Sequence, residues 1–441
     1  MSNTIIINKK INSYKKTIVV GSDKSISIRT ILLASQALGV STISNLLESE
    51  DVLNALNAIK KLGIKYKKEG NKYKIYGLGL NGFKLNQNTT INAGNSGTLA
   101  RLILGLLVKS DQKIKLIGDK SLSKRDFSRV TNPLKQFGVN IKSTKNSLPL
   151  EIRGTEFLRP INFIENIGSA QCKSAVMLAA LNTPGKTFIK AKKSRNHTEL
   201  LFKFLKIPMK LKEGKNYDDI QITGQSFFDC FKYSVPSDIS SSAFFIVLTI
   251  LSSKSEITIK NVNINKSRIG IIKILKMMNC NIAFKNIQNY HGEKIADINV
   301  KSSRNIRSIN CPSKLNSSAI DEFLVIFLVA AKAKGVSKFS NLEELNKKES
   351  PRLNIAINIL KMMGIKVIKK KNNIKIYGNQ KLELQGKYNI KNYMKDHRVA
   401  MTSIIAALVF GGSWKINDIN SINTSFPSFI KLIKNLGAKI N

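Results

Sequence analysis

The stretch LNAIKKLGIKYKK, residues 56–68, reads as the end of a helix, a turn and the start of a strand. Apolar residues three and four apart mark the helix, Gly63 suits a left-handed closing position, and the alternation that follows marks a half-buried strand. The pattern returns in NPLKQFGVNIKS around Gly138, LFKFLKIPMKLK around Pro208, IIKILKMMNCNIAF around Asn279, AINILKMMGIKVIKK around Gly364 and FIKLIKNLGAKIN around Gly437. These turn residues recur every 70 to 85 positions. Six copies of an α/β unit divide naturally into two domains of three. The midpoint falls near VPSDISSSAFF, Val235 to Phe245, without a Pro/Gly-rich linker. If residues 1–23 lend a strand to the later half, the expected domains are 24–237 and 1–23 plus 238–441.

With 441 residues and 42% hydrophobic residues, the chain has enough apolar material for two or three cores. Its 72 Lys+Arg against 28 Asp+Glu give a formal charge of +44, which invites a nucleic-acid reading. The lysines run along the whole length instead of gathering in one block, so a solvated basic surface is the plainer explanation. Arginine is more informative: only 12 of the cations are Arg, and seven of them (Arg29, Arg101, Arg125, Arg129, Arg195, Arg352, Arg398) lie in the motifs below. Such clustering favours a small anionic ligand, because the guanidinium fork matches carboxylate and phosphate. Four isolated cysteines and three distant histidines suggest neither a zinc site nor disulfides, so no metal is expected. No signal segment opens the chain, and its longest apolar run, near Phe323 to Ala331, is too short to span a membrane. A soluble cytoplasmic protein is expected.

The motifs share one physical theme, anion binding at helix starts. In GSDKSISIR, Gly21 to Arg29, a strand over Thr17 to Val20 leads into a helix starting near Ile26, with Lys24, Ser25 and Arg29 at its opening. Alone, it reads more simply as a capped, solvated helix start with scattered cations. NAGNSGTLAR brings Asn95, Gly97, Thr98 and Arg101 to a second helix, and GDKSLSKRDFSR sets Lys124, Arg125 and Arg129 on a polar loop. SAQCKS caps a third helix with Ser169, Ala170 and Gln171, and SRNHTE opens the next with Arg195, where His197 reads as structural. The later half supplies carboxylates: Asp321 and Glu322 head an apolar segment where one could act as a base, and Glu349 stands three residues before Arg352, beside Lys348. DHRVAM adds Arg398.

Taken in order, GSDKSISIR, NSGT, SLSKR, SAQxKS, SRNHTE, IDE, KESPR, DHR and TSFPSF closely resemble the enolpyruvyl transferase family, in its branch acting on shikimate 3-phosphate. The resemblance covers nearly the whole chain. It implies an α/β fold of two domains, each three βαβαββ repeats, with the active site in the interdomain cleft. It implies transfer of the enolpyruvyl group of phosphoenolpyruvate to the 5-hydroxyl of shikimate 3-phosphate through a tetrahedral intermediate, with no metal or other cofactor and the chain a monomer. Shikimate 3-phosphate is assigned to Lys24, Ser25, Arg29, Ser169, Gln171, Arg195, Asp321 and Lys348, and phosphoenolpyruvate to Lys24, Gly97, Arg125, Gln171, Arg352 and Arg398. Asn95 and Ala170 complete the expected binding set. Asp321 is the implied proton acceptor and Glu349 the implied donor, which burial or substrate anions must help to protonate. Gly97 keeps the small residue that in the family leaves room for glyphosate, so inhibition by glyphosate is expected. The chain departs from the family at Pro351 (often Asp), at Ala170 (Ser in some members) and at Thr424 (Lys in some relatives). The sister activity on UDP-N-acetylglucosamine is the nearest alternative, but its loop carries a Cys and residues 118–129 have none. A non-catalytic basic protein that binds nucleic acid is the alternative of another class.

Overall fold

A computed structural model of the chain describes residues 4–86 and 88–441. The chain divides into a first unit, Ser22–Val235 with His291–Glu293, and a second unit, Met1–Gly21, Pro236–Tyr290 and Lys294–Asn441. Among the described residues there are six sheets of three or four strands.

One topology recurs in the first unit. Thr90–Asn92 runs parallel to Ile114–Ile117, which pairs antiparallel with Leu150–Arg153, itself antiparallel to Asn140–Ser143. Asn162–Glu165, Lys186–Lys192, Tyr217–Thr223 and Met209–Glu213 repeat that order. The sheet around Leu38–Ser44 takes its parallel strand, Lys232–Ser234, from the far end of the unit. In the second unit the same borrowing occurs at Lys15–Ile18, which pairs parallel with Glu256–Asn263. That strand begins two residues before the expected one, leaving Val20 buried but unpaired in the sheet.

The turns after the short helices are left-handed, as the pattern requires. Gly63, Gly138, Asn279, Gly364 and Gly437 have φ between 65° and 101°. In the third repeat Pro208 does not close the helix; Lys206 does, with φ 55°. A lysine there carries some of the left-handed cost that Gly or Asn would avoid. After Gly437 no strand forms, but Asn441 and Ile6 exchange both backbone hydrogen bonds, at 2.9 and 3.1 Å.

Six helices are apolar almost all round and fill the two cores: Lys24–Gln36, Gly97–Leu106 and Ala170–Asn182 in the first unit, Ile239–Leu251, Phe323–Lys332 and His397–Phe410 in the second. A helix so enclosed must satisfy its first N–H groups locally. Asp23, Ser96, Ser169, Asp238 and Asp396 do this as side-chain caps. Because Asp23 accepts from the Ile26 amide at 2.9 Å, the first of these helices starts at Lys24, two residues before the expected position. No helix among the described residues is long and apolar enough to cross a membrane.

Candidate active site

In the first unit the starts of the buried helices are tied together by the expected residues. Lys24 Nζ lies 2.7 Å from Asp51 Oδ2, at the start of the Glu50–Lys61 helix. Arg29 is only 4% exposed. Its Nε donates to Thr198 Oγ1 at 2.9 Å, its Nη1 to the Ser25 carbonyl at 3.0 Å and its Nη2 to Ser174 Oγ at 3.0 Å. Arg101 Nη1 donates to Gln171 Oε1 at 3.1 Å, and Gln171 Nε2 to Thr98 Oγ1 at 3.0 Å, which joins the second and third buried helices at their openings. Gly97 sits beneath two guanidinium groups: a Cβ there would lie 2.7 Å from Arg101 Nη1 and 3.0 Å from Arg125 Nη1. The loop carrying Arg125 is pinned by the buried side chains of Leu122 and Phe127, and the Arg101 guanidinium stacks 4.9 Å over the Phe127 ring.

The remaining first-unit candidates flank these joints. Ser169 caps its helix by accepting from the Cys172 amide at 3.3 Å, and Ala170 is that helix's first residue. Two backbone amides of the approach, Ile167 and Gly168, donate to the buried Glu165 carboxylate at 3.1 and 2.7 Å. Asn95 donates to Asp119 at 2.6 Å, so its side chain braces the loop. Arg195 is half-buried just before the His197–Phe204 helix. His197 pairs with buried Glu293 at 2.5 Å, in keeping with a structural histidine. Burial, with Glu165 nearby, pushes the Cys172 thiol up to about 12, and its Sγ donates to the Arg129 carbonyl. That thiol is unsuited to act as a nucleophile.

The second unit gathers charges of both signs. Arg352 is buried at the start of the Arg352–Met362 helix, with Pro351 in the cap position. Its Nε reaches Asp396 Oδ2 at 2.9 Å, its Nη1 reaches Asp321 Oδ1 at 3.2 Å, and its Nη2 pairs with Glu349. Lys348 Nζ stands 3.3 Å from the same Asp321 oxygen. Arg398 Nη1 donates to the Asp321 carbonyl at 3.0 Å and lies 4.0 Å from buried Glu322. Asp396 also accepts from Ser350 Oγ at 2.8 Å and from the Arg398 amide at 3.0 Å. Burial raises the Asp396 carboxyl, but Arg352 outweighs it and holds the group below the usual carboxylate range, Glu349 opposing and His397 assisting. For Arg352 burial works the other way, and Asp396, then Glu349 and Asp321, fix its charge firmly. Thr424 donates to the Ser421 carbonyl at 2.7 Å, closing its own short helix.

Every expected site residue but Arg29, which lies one turn into its helix and reaches back to the Ser25 carbonyl, therefore lies at a helix start or in the turn before one. Arg352 differs from the others in being enclosed by three carboxylates. Sequence reasoning named neither Ser174 nor Thr198, although both lie inside the quoted SAQCKS and SRNHTE stretches. It also missed Asp51 and the part played by Asp396, which only the fold brings to Lys24 and Arg352. Chemically, the first cluster offers cations and helix N-termini to anions, and the second sets carboxylates among cations, where a proton can be taken up or given.

A family model described as EPSP synthase (3-phosphoshikimate 1-carboxyvinyltransferase) matches residues 8–433. The chain is 40% identical over 434 residues to the 3-phosphoshikimate 1-carboxyvinyltransferase of Ruthia magnifica subsp. Calyptogena magnifica, with 98% of each chain covered. A solved EPSP synthase from Acinetobacter baumannii matches with a TM-score of 0.87 at 32% identity, covering 99% of each chain. The enolpyruvyl transferase NikO from Streptomyces tendae matches with a TM-score of 0.78 at 13% identity, over 100% of this chain and 99% of that one, a likeness of fold.

Proposed function

Because the chain belongs to the EPSP synthase (3-phosphoshikimate 1-carboxyvinyltransferase) family, we propose that its two clusters serve one reaction and divide the work between them. The α/β enolpyruvyl transferase fold expected from the sequence is the one observed. The chain transfers the enolpyruvyl group of phosphoenolpyruvate to shikimate 3-phosphate.

Each substrate carries a phosphate and a carboxylate, so four anionic groups need cations and helix starts. In our reading Lys24, Ser25, Arg29, Ser169, Ala170, Gln171, Arg195 and Lys348 hold shikimate 3-phosphate. Lys24, Asn95, Gly97, Arg125, Gln171, Arg352 and Arg398 hold phosphoenolpyruvate. Asp321 accepts the proton of the 5-hydroxyl as its oxygen bonds to C2 of phosphoenolpyruvate, while Glu349 gives a proton to the methylene carbon. The tetrahedral intermediate then loses phosphate and a methyl proton, restoring the double bond. An anion arriving at Arg352 competes with Glu349 for Nη2, and a like charge beside a carboxylate favours its protonated form. The observation that carries this division is Asp321, one carboxylate oxygen of which, Oδ1, faces both Lys348 and Arg352. A proton acceptor there stands beside two groups suited to anionic substrates. We also propose that the enzyme works as a cytoplasmic monomer.

The test is phosphate release by the purified protein with phosphoenolpyruvate and either shikimate 3-phosphate or UDP-N-acetylglucosamine. Release with shikimate 3-phosphate alone is expected; release with neither acceptor from folded protein would overturn the assignment. A second expectation concerns Gly97. In Gly97→Ala the new methyl meets the far ends of two flexible side chains, so the protein folds, but both guanidinium groups must move. Initial rates should show KM for phosphoenolpyruvate raised about tenfold, with KM for shikimate 3-phosphate within about twofold. Glyphosate, which inhibits the unaltered chain in our reading, should weaken in step. Equal changes in both KM values would dissociate Gly97 from phosphoenolpyruvate.

A further inference from the structure

Three helix starts that carry proposed substrate contacts meet at one buried polar joint. Arg29 comes from Lys24–Gln36, Ser174 from Ala170–Asn182 and Thr198 from His197–Phe204. The Ser174 and Thr198 hydroxyls lie 2.7 Å apart, one donating to the other, and each accepts from the Arg29 guanidinium, at 3.0 and 2.9 Å. Both residues are about 1% exposed, so neither hydroxyl is placed to touch a ligand itself.

The neighbouring residues on the same two helices make a second tie. Lys173, one position before Ser174, pairs at 2.5 Å with Glu199, one position after Thr198, and both side chains are enclosed. A buried ion pair of this kind adds little net stability, because desolvation offsets much of the attraction, but parting its two charges would leave each enclosed without its partner. The joint and the ion pair thus set the angle and spacing of the two helices against Arg29. Hydroxyl partners suit that task. They orient the guanidinium by hydrogen bonds while adding no negative charge, whereas a carboxylate would compete with the ligand for the fork.

We infer that Ser174 and Thr198 are positioning residues for shikimate 3-phosphate, acting through Arg29. This rests on the proposed assignment of Arg29 to that substrate. Without the Thr198 hydroxyl, Nε loses its acceptor, the guanidinium swings, and the fork no longer meets its anion in register.

The experiment compares Thr198→Val, Thr198→Ser and Arg29→Lys in the full-length enzyme, with KM for each substrate and kcat measured and folding checked by circular dichroism. Thr198→Val should raise KM for shikimate 3-phosphate about tenfold and leave KM for phosphoenolpyruvate within about twofold. Thr198→Ser, which restores a hydroxyl, should return KM to within about twofold of the unaltered enzyme. A purely structural threonine would instead lower thermal stability and shift both KM values together, and that result overturns the inference. So does a Thr198→Ser variant as impaired as Thr198→Val. If Arg29→Lys leaves KM for shikimate 3-phosphate unchanged, the assignment of Arg29 fails and takes the inference with it. If Arg29→Lys raises that KM and Thr198→Val does not, only the joint is refuted. Should Thr198→Val not fold, Ser174→Ala removes the Nη2 acceptor and is judged by the same two KM values.

Discussion

Asp321→Ala should lower kcat by about 10²–10⁴-fold, the usual contribution of a general base, while both substrates still bind. The Asp321 side chain is 13% exposed, reachable by a substrate hydroxyl yet partly withdrawn from water. Its carboxylate faces Lys348 at 3.3 Å and Arg352 at 3.2 Å. Removing it deletes a negative charge from a place that must accept anions. Affinity for shikimate 3-phosphate, read by calorimetry, should therefore be kept or tightened while turnover collapses. A residue that merely braced the site would lose affinity and turnover together. Asp321→Asn sharpens the comparison, since the amide oxygen can still accept from Arg352 but cannot take the proton. If either variant turns over within about tenfold of the unaltered enzyme, Asp321 is not the base.

The largest stability effect should come from Asp396→Ala. Asp396 is fully buried and accepts from Arg352, Ser350 and the start of its own helix. Removing one partner of an enclosed ion pair leaves the other charge without its closest compensation, which typically costs about 3–5 kcal/mol. Arg352 keeps Glu349 and Asp321, so the lower part of that range is expected. Urea unfolding at neutral pH measures it, and a loss below about 1 kcal/mol would show that those two carboxylates suffice. The pH dependence has a definite sign. Asp396 titrates below its unfolded value, so its contribution is complete above roughly pH 4 and disappears as pH falls through the folded value. Asp396→Asn, which cannot titrate, should flatten the acid limb of the stability curve.

How much of this was visible in the residues depends on how local each feature is. The six repeats were legible because a left-handed glycine or asparagine after an amphipathic run leaves a mark in the sequence. In the third the sequence points to Pro208, since nothing in a lysine announces that Lys206 carries the turn. The first buried helix starts two residues before its apolar pattern does, because Asp23 reads as loop until its bond to the Ile26 amide is known. The site residues could be named because helix starts with Ser, Lys and Arg are local features. The partners of those residues are not. Arg29 meets Ser174 and Thr198, and Arg352 meets Asp396, across separations of 44 to 169 residues. Composition and spacing are silent about such pairs, which is why the enclosure of Arg352 by three carboxylates could not be read beforehand.

The borrowed strands have a bearing on how the polypeptide is made. Lys15–Ile18 must find Glu256–Asn263, and Ile5–Ile7 must find Gly411–Ile416. On a ribosome adding about 5–20 residues per second, the first pairing waits on the order of 10–50 s after its early strand emerges. Ser22–Val235, all of the first unit but His291–Glu293, leaves the ribosome in one run during that interval and can begin to fold first. The early strands meanwhile travel as open edges, the state most prone to stray pairing. Lys9, Lys10, Lys15 and Lys16 lie on or beside them, so part of the chain's large positive charge sits where like-charge repulsion disfavours such pairing.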